Sequence, residues 1–299
     1  IRLLDEKIGM FCDDTRDAVK GSALKVRKPG FINGAEDKED DIIRGVAAWQ
    51  TAGVKAPSQI ITYVSAHDNQ TLWDKLAETM PQADEKERMR LNRMAAALYM
   101  TCQGSLFLLS GEEFARTKDG IEDSYNAPIA INRLDWKQAW ENRDLVEYYR
   151  GLIALRRQLP GLCDKSAGAA DRISRVQKEK GAVSFLIDNR LCFSECQNGV
   201  TGDAQNRDVN EKESRWQTLK IVYNSSREER PVAVDGDGWK MLSDGQDSWL
   251  WKTEKPAEGE IRIAPQSVLI LGQTGGAAQS EAAGRAADKE ETTWRKKAV

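Results

Sequence analysis

The sequence holds one histidine, and an aspartate follows it directly in Tyr63-Val64-Ser65-Ala66-His67-Asp68-Asn69. That pair suits sugar chemistry. A carboxylate can accept hydrogen bonds from two vicinal hydroxyls, an imidazole can donate one more, and both favour the positive charge that develops at an anomeric carbon. The bland alternative is that His67 closes a strand and Asp68 caps the helix that follows. A second polar cluster runs from Gly111-Glu112-Glu113-Phe114-Ala115-Arg116-Thr117-Lys118 through Ser124-Tyr125-Asn126-Ala127-Pro128 to Ile131-Asn132-Arg133-Leu134-Asp135-Trp136. Sugar sites combine such parts: an aromatic face for the C–H surface of a ring, planar amides and guanidinium for its hydroxyls. An ordinary surface loop is the alternative, but structureless loops of this length are uncommon unless they are functional.

Three weaker signals accompany these. Asp13-Asp14 beside Arg16-Asp17 could hold a cation, though ion pairing at a helix start explains them more simply. Trp239, Trp249 and Trp251 could form a sugar platform, though packing between sheets explains them as well. The basic Arg295-Lys296-Lys297 reads as a solvated end.

The elements that must position these residues follow from periodicity. Gln59 to Ala66 is a nearly unbroken apolar run and predicts a strand covered on both faces, with His67-Asp68 at its carboxyl end. Ligands gather at that end in both barrels and open α/β sheets. The acidic stretch Glu36 to Asp41 opens a helix, since acids suit its positive end. Asp84 to Cys102 predicts a long helix with Leu91, Met94, Leu98 and Cys102 on one face. Ser105 to Ser110 predicts a second strand, and Asp144 to Leu159 a further helix stopped by Pro160-Gly161. The first 160 or so residues therefore alternate strand and helix, as parallel βα units do.

After Gly161 the pattern changes. Val183 to Ile187, Leu219 to Tyr223, Pro231 to Val234, Trp249 to Trp251 and Val268 to Leu271 are short β-rich runs between Asn, Asp and Gly turns. They predict an antiparallel sandwich. Gln197 to Lys212 reads as an inserted loop, and from 274 on the composition predicts disorder.

Composition narrows the function classes. The 44 basic and 47 acidic side chains leave a net charge of −3, too mild to call for nucleic acid or an anionic membrane. No apolar run reaches the roughly 20 residues of a membrane span. The five cysteines, Cys12, Cys102, Cys163, Cys192 and Cys196, match no zinc spacing. They read as free thiols of a reducing compartment, which slightly favours the cytoplasm. No metal site or cofactor is called for, and calcium stays open. With Ile1 first and no leader behind it, the expectation is a piece of a longer protein.

The stretch from Tyr63 to Leu76 (YVSAHDNQTLWDKL) resembles the fourth signature region of the α-amylase superfamily, in the form seen in type I pullulanases. Gly111–Lys118, Ser124–Pro128 and Ile131–Trp136 resemble the segment after the eighth barrel strand of those enzymes. Phe11–Ser22 resembles the segment after the fifth, and Tyr223–Ser226 and Ala264–Leu269 resemble their β-region. The resemblance covers about residues 8–272.

It implies the C-terminal part of a (β/α)8 TIM barrel over 1–162, an antiparallel β-sandwich over 163–273 and a tail over 274–299. It also implies hydrolysis of α-1,6 branch linkages in an α-glucan (pullulan, amylopectin or limit dextrin) with retention. By position, His67 would hydrogen-bond the glucose being cleaved and Asp68 would be the third carboxylate, while Arg116, Tyr125 and Asn126 would line sugar subsites. The motifs of the nucleophile and the acid–base have no match between Ile1 and Val299. A retaining enzyme needs two carboxyl groups about 5–5.5 Å apart. Asp68 with Glu112 or Glu113 is the local pair available, and no motif supports it. The expectation is a chain that needs an N-terminal barrel portion to be active. The alternatives are another hydrolase of the superfamily, a non-catalytic carbohydrate-binding protein, and a structural β-domain with an α/β remnant.

Overall fold

The computed structural model describes residues 5–190 and 215–275. Three short strands, β1 (Met10–Phe11), β2 (Ile60–Thr62) and β3 (Ser105–Leu106), lie in that order and all run parallel. The chain between them passes through α1 (Asp13–Lys20), α2 (Glu39–Val46), α3 (Leu72–Thr79) and α4 (Glu85–Met100). This is the strand–helix alternation expected. The parallel strands do not close on themselves among the described residues.

β2 is shorter than the apolar run that predicts it. Its neighbours are two residues long, so only Ile60, Ile61 and Thr62 find ladder partners. The chain beyond stays buried through Ser65 without pairing. Buried backbone can be satisfied by other partners, and hydrophobicity alone does not set strand length.

α4 is the central helix. Asp84 caps it by accepting a hydrogen bond from the Glu87 N–H at 2.7 Å, and Glu85 and Glu87 suit its positive end. Leu91, Met94 and Leu98 are fully buried along one face, each worth about 2 kcal/mol as area removed from water. At the far end the Arg156 guanidinium donates to the carbonyls of Met100 (2.5 Å) and Cys102 (2.8 Å), which the helix itself cannot satisfy.

After β3 come a 3-10 turn at Glu112–Phe114 and four helices: α5 (Ile129–Asn132), α6 (Trp136–Glu141), α7 (Arg143–Arg156) and α8 (Pro160–Cys163). The polar stretch read as one long loop therefore holds two short helices, and Asp135 caps the second.

The remainder is antiparallel. β4 (Ile173–Glu179), β5 (Ala182–Asp188), β6 (Thr218–Asn224), β7 (Arg230–Val234), β8 (Trp239–Ser243), β9 (Gly259–Ile263) and β10 (Ser267–Gln273) form two sheets. The larger has the order β4-β5-β6-β10-β8, and the smaller pairs β7 with β9. β5 alternates strictly, with Val183, Phe185 and Ile187 inward. β6 is central and buried on both faces. Its Leu219, Ile221 and Tyr223 join the helices in one hydrophobic cluster, while Val222 joins Leu269, Leu271, Val232, Val234 and Ile263 between the sheets.

One expected strand is wrong: Trp249 to Trp251 is a turn followed by a 3-10 helix at Leu250–Lys252. The Asp247 carboxylate accepts from the Trp249 N–H at 2.7 Å, and this local bond outcompetes a ladder. Trp239 is buried between the sheets. The inserted loop at Gln197–Lys212, Cys192, Cys196, Arg295-Lys296-Lys297 and nearly all of the tail lie outside the described residues.

Candidate functional site

His67, Asp68 and Asn69 form the turn between β2 and α3. Asn69 sits in the left-handed region, φ 60°, where Asn is tolerated better than most residues. The two functional side chains point out. His67 is 86% and Asp68 71% exposed, and the imidazole Nε2 stands 3.3 Å from the Asp68 carboxylate. Beside them opens a cavity of about 560 Å³, within the usual range for small ligands.

Its apolar wall is an edge-to-face group in which Phe11 meets Tyr63 (5.0 Å between centroids) and Phe107 (5.1 Å). Its polar wall is Asp13, Arg16 and Lys20. The Tyr63 hydroxyl donates to Asp13 at 2.6 Å and accepts from Arg16 at 2.5 Å. Burial, reinforced by the bond to Asp13, pushes the Tyr63 ionisation up, so this hydroxyl stays protonated. Arg16 also pairs with Asp13 (3.0 Å) and Asp17 (2.7 Å), which is the ion-paired helix start that the sequence suggested.

The second cluster behaves differently. Gly111 takes φ 97°, and a Cβ there would stand 2.7 Å from the Arg116 side chain, so this turn requires glycine. Arg116 does not reach the His67 cavity. Its guanidinium donates to the carbonyls of Ser110 (3.0 Å) and Asn132 (2.6 Å). Tyr125, 80% exposed, and exposed Asn126 also lie outside that cavity's lining. The structure therefore brings together His67 and Asp68 of the five candidate residues.

Glu112 is not a partner for Asp68. It is buried, and its carboxylate accepts from the Tyr99 (3.1 Å) and Tyr149 (3.3 Å) hydroxyls. Burial raises its pKa to about 7 against the pull of the Ser65 hydroxyl and the Lys20 charge. Burial lowers Lys20 to about 7, opposed by the Glu112 charge. Glu113 accepts from the Gly111 N–H at 2.8 Å.

Several residues at the site escaped sequence reasoning. Thr117 Oγ1 donates to Asp74 Oδ1 at 2.5 Å and the Lys118 N–H to Asp74 Oδ2 at 2.8 Å, tying the second loop to α3. Lys118 Nζ donates to the His67 carbonyl at 3.0 Å. From the other side, Lys20 Nζ donates to the Gln70 carbonyl at 3.0 Å. A lysine in a loop, like Lys118, or at the last position of a short helix, like Lys20, carries no periodic signal that marks it as buried.

No model of a protein family matches the chain. A pullulanase of Klebsiella pneumoniae is 38% identical over 93% of this chain and 28% of its own length. A pullulanase of Bacillus subtilis (strain 168) is 39% identical over 55% of this chain and 24% of its own length. The crystal structure of type I pullulanase from Bacillus subtilis str. 168 complexed with maltose superimposes with a TM-score of 0.75 at 28% identity. It covers 90% of this chain and 36% of that one. These relatives are pullulanases, which are glycoside hydrolases. The chain is similar, in sequence and in fold, to pullulanases, and it spans about a quarter of the length of those curated relatives.

Proposed function

We propose that this chain forms the substrate-holding part of a starch-debranching glycoside hydrolase that cleaves α-1,6 linkages of pullulan or related α-glucans with retention. In this reading β1, β2 and β3 are the last strands of a (β/α)8 barrel within residues 1–162. Residues 163–273 are its β-sandwich domain, and 274–299 a tail. The observation that carries it is the position of His67 and Asp68. Both stand at the carboxyl end of the middle parallel strand, open to solvent, over an aromatic-walled cavity.

That position supports the following roles. Asp68 accepts hydrogen bonds from the hydroxyls of the sugar being cleaved and favours the positive charge of an oxocarbenium-like transition state. His67 donates to the same sugar. Tyr125 and Asn126, exposed on the neighbouring loop, meet more distant sugars, and Arg116 braces the loop that carries them. The nucleophile and the acid–base belong to sequence matching the rest of the longer relatives. This chain then binds glucan and does not cut it.

The test is a titration of the intact chain with maltotriose and an incubation with pullulan. Perturbation of the His67 ring signals, lost in Asp68→Asn, with no maltotriose released from pullulan, is the expected result. Release of maltotriose, or His67 signals unmoved at millimolar sugar, overturns it.

A further inference from the structure

The turn that presents His67 and Asp68 makes few bonds of its own. Both side chains are exposed, and Asn69 sits in the left-handed region. Such a turn would ordinarily be mobile. Yet its two ends are gripped from outside by ammonium groups that are themselves buried. Lys118, 2% exposed, comes from the loop after β3 and donates to the His67 carbonyl (3.0 Å) and to the Glu122 carbonyl (3.3 Å). Lys20, also 2% exposed, comes from the end of α1 and donates to the Gln70 carbonyl (3.0 Å).

A third buried lysine closes the circuit. Lys75 on α3 reaches back to the carbonyls of Ser22 (2.8 Å), Lys25 (3.0 Å) and Val26 (2.6 Å), just after α1. Burying a charge is costly unless it is well hydrogen-bonded. Lys20 and Lys118 direct that costly contact to main-chain carbonyls flanking one exposed turn. A salt bridge would not do this, because only a main-chain contact fixes the turn and leaves its side chains free.

We propose that Lys20 and Lys118 are positioning residues for His67 and Asp68: they clamp the carbonyls at both ends of the turn and so pre-orient a sugar-binding pair whose side chains are exposed. The sugar arm rests on the glucan reading above; the clamp itself does not. Binding gains when the receiving groups are already ordered, because less freedom is lost on association.

The single histidine makes this measurable, since its ring gives one assignable pair of NMR signals. In the unsubstituted protein the Asp68 and Asn69 amides should be as rigid as the helices, with order parameters of about 0.85. Values below about 0.6 would overturn the clamp without any substitution. Lys118→Met and Lys20→Met keep the aliphatic stem and remove only the ammonium, so the fold should persist. In each, amide exchange at Asp68 and Asn69 should accelerate about tenfold and the His67 ring signals broaden. Folded variants with both readouts unchanged refute the proposal; if neither variant folds, the order parameters decide it. Maltotriose is the probe for the sugar arm, and Lys118→Met should weaken its binding about tenfold. If maltotriose leaves the unsubstituted His67 signals unmoved, the glucan reading fails, and exchange and order parameters still judge the clamp.

Discussion

Two loops leave the carboxyl ends of neighbouring parallel strands, and they use polar residues in opposite ways. The turn after β2 displays His67 and Asp68 to solvent and is held through its backbone. The loop after β3 turns Glu112 and Lys118 inward and bonds them to hydroxyls and carbonyls, while Tyr125 and Asn126 stay exposed farther along it. Presentation and support are thus divided between adjacent loops. The lesson is that a polar residue at a strand end is a binding candidate only once its hydrogen bonds have been traced.

Substitutions separate the two. The supporting loop should fail first at Asp74→Ala. That change strands the buried Lys118 N–H and removes the acceptor of Thr117, costing about 3 kcal/mol in urea unfolding. Glu112→Gln tests the same loop through pH. The native pKa of Glu112 is raised from 4.5 to about 7, so between these values the native state binds the proton and the unfolded state releases it. The carboxyl's contribution is fully present below pH 4.5 and is lost as pH rises through 7. The stability of the original protein relative to Glu112→Gln should therefore fall across that window, by on the order of 3 kcal/mol, and level off above it.

Gly111→Ala forces a side chain into a left-handed turn against Arg116 and should cost about 1–2 kcal/mol by thermal unfolding. The presenting turn should respond least. His67→Ala and Asp68→Asn alter exposed side chains and should move stability by no more than about 0.5 kcal/mol. Maltotriose binding, followed by calorimetry, should nonetheless be lost in both. A stability loss as large as that of Asp74→Ala would erase the distinction.

Much of this was legible in the sequence, where local and tertiary demands agree. α4 has its cap, its acidic first turn and its apolar stripe all pointing the same way. His67-Asp68 could be placed at a strand end because the apolar run stops there. Trp249–Trp251 misled because aromatic β-propensity ignores the Asp247 side chain that bends the backbone beside it. The contacts of Arg116 were silent. Arginine in a polar loop reads as free to meet a ligand, and its use on the carbonyls of Ser110 and Asn132 exists only once the loop has folded back. Lys20 and Lys118 were silent for the same reason, since the carbonyls they hold are distant in sequence.

The hydrophobic cluster that runs from Val19 through Leu98 to Phe185, Ile221 and Ile270 has a consequence for how the molecule comes apart. α4 has no separate lining toward the sheet. One oily seam serves both, and the Thr101 and Tyr223 hydroxyls, 2.7 Å apart within it, fasten the two faces. Cutting the peptide near residue 162 would sever a covalent link and leave the seam intact. The helices and the β-layer would then melt as one body, each acting as the other's roof against water.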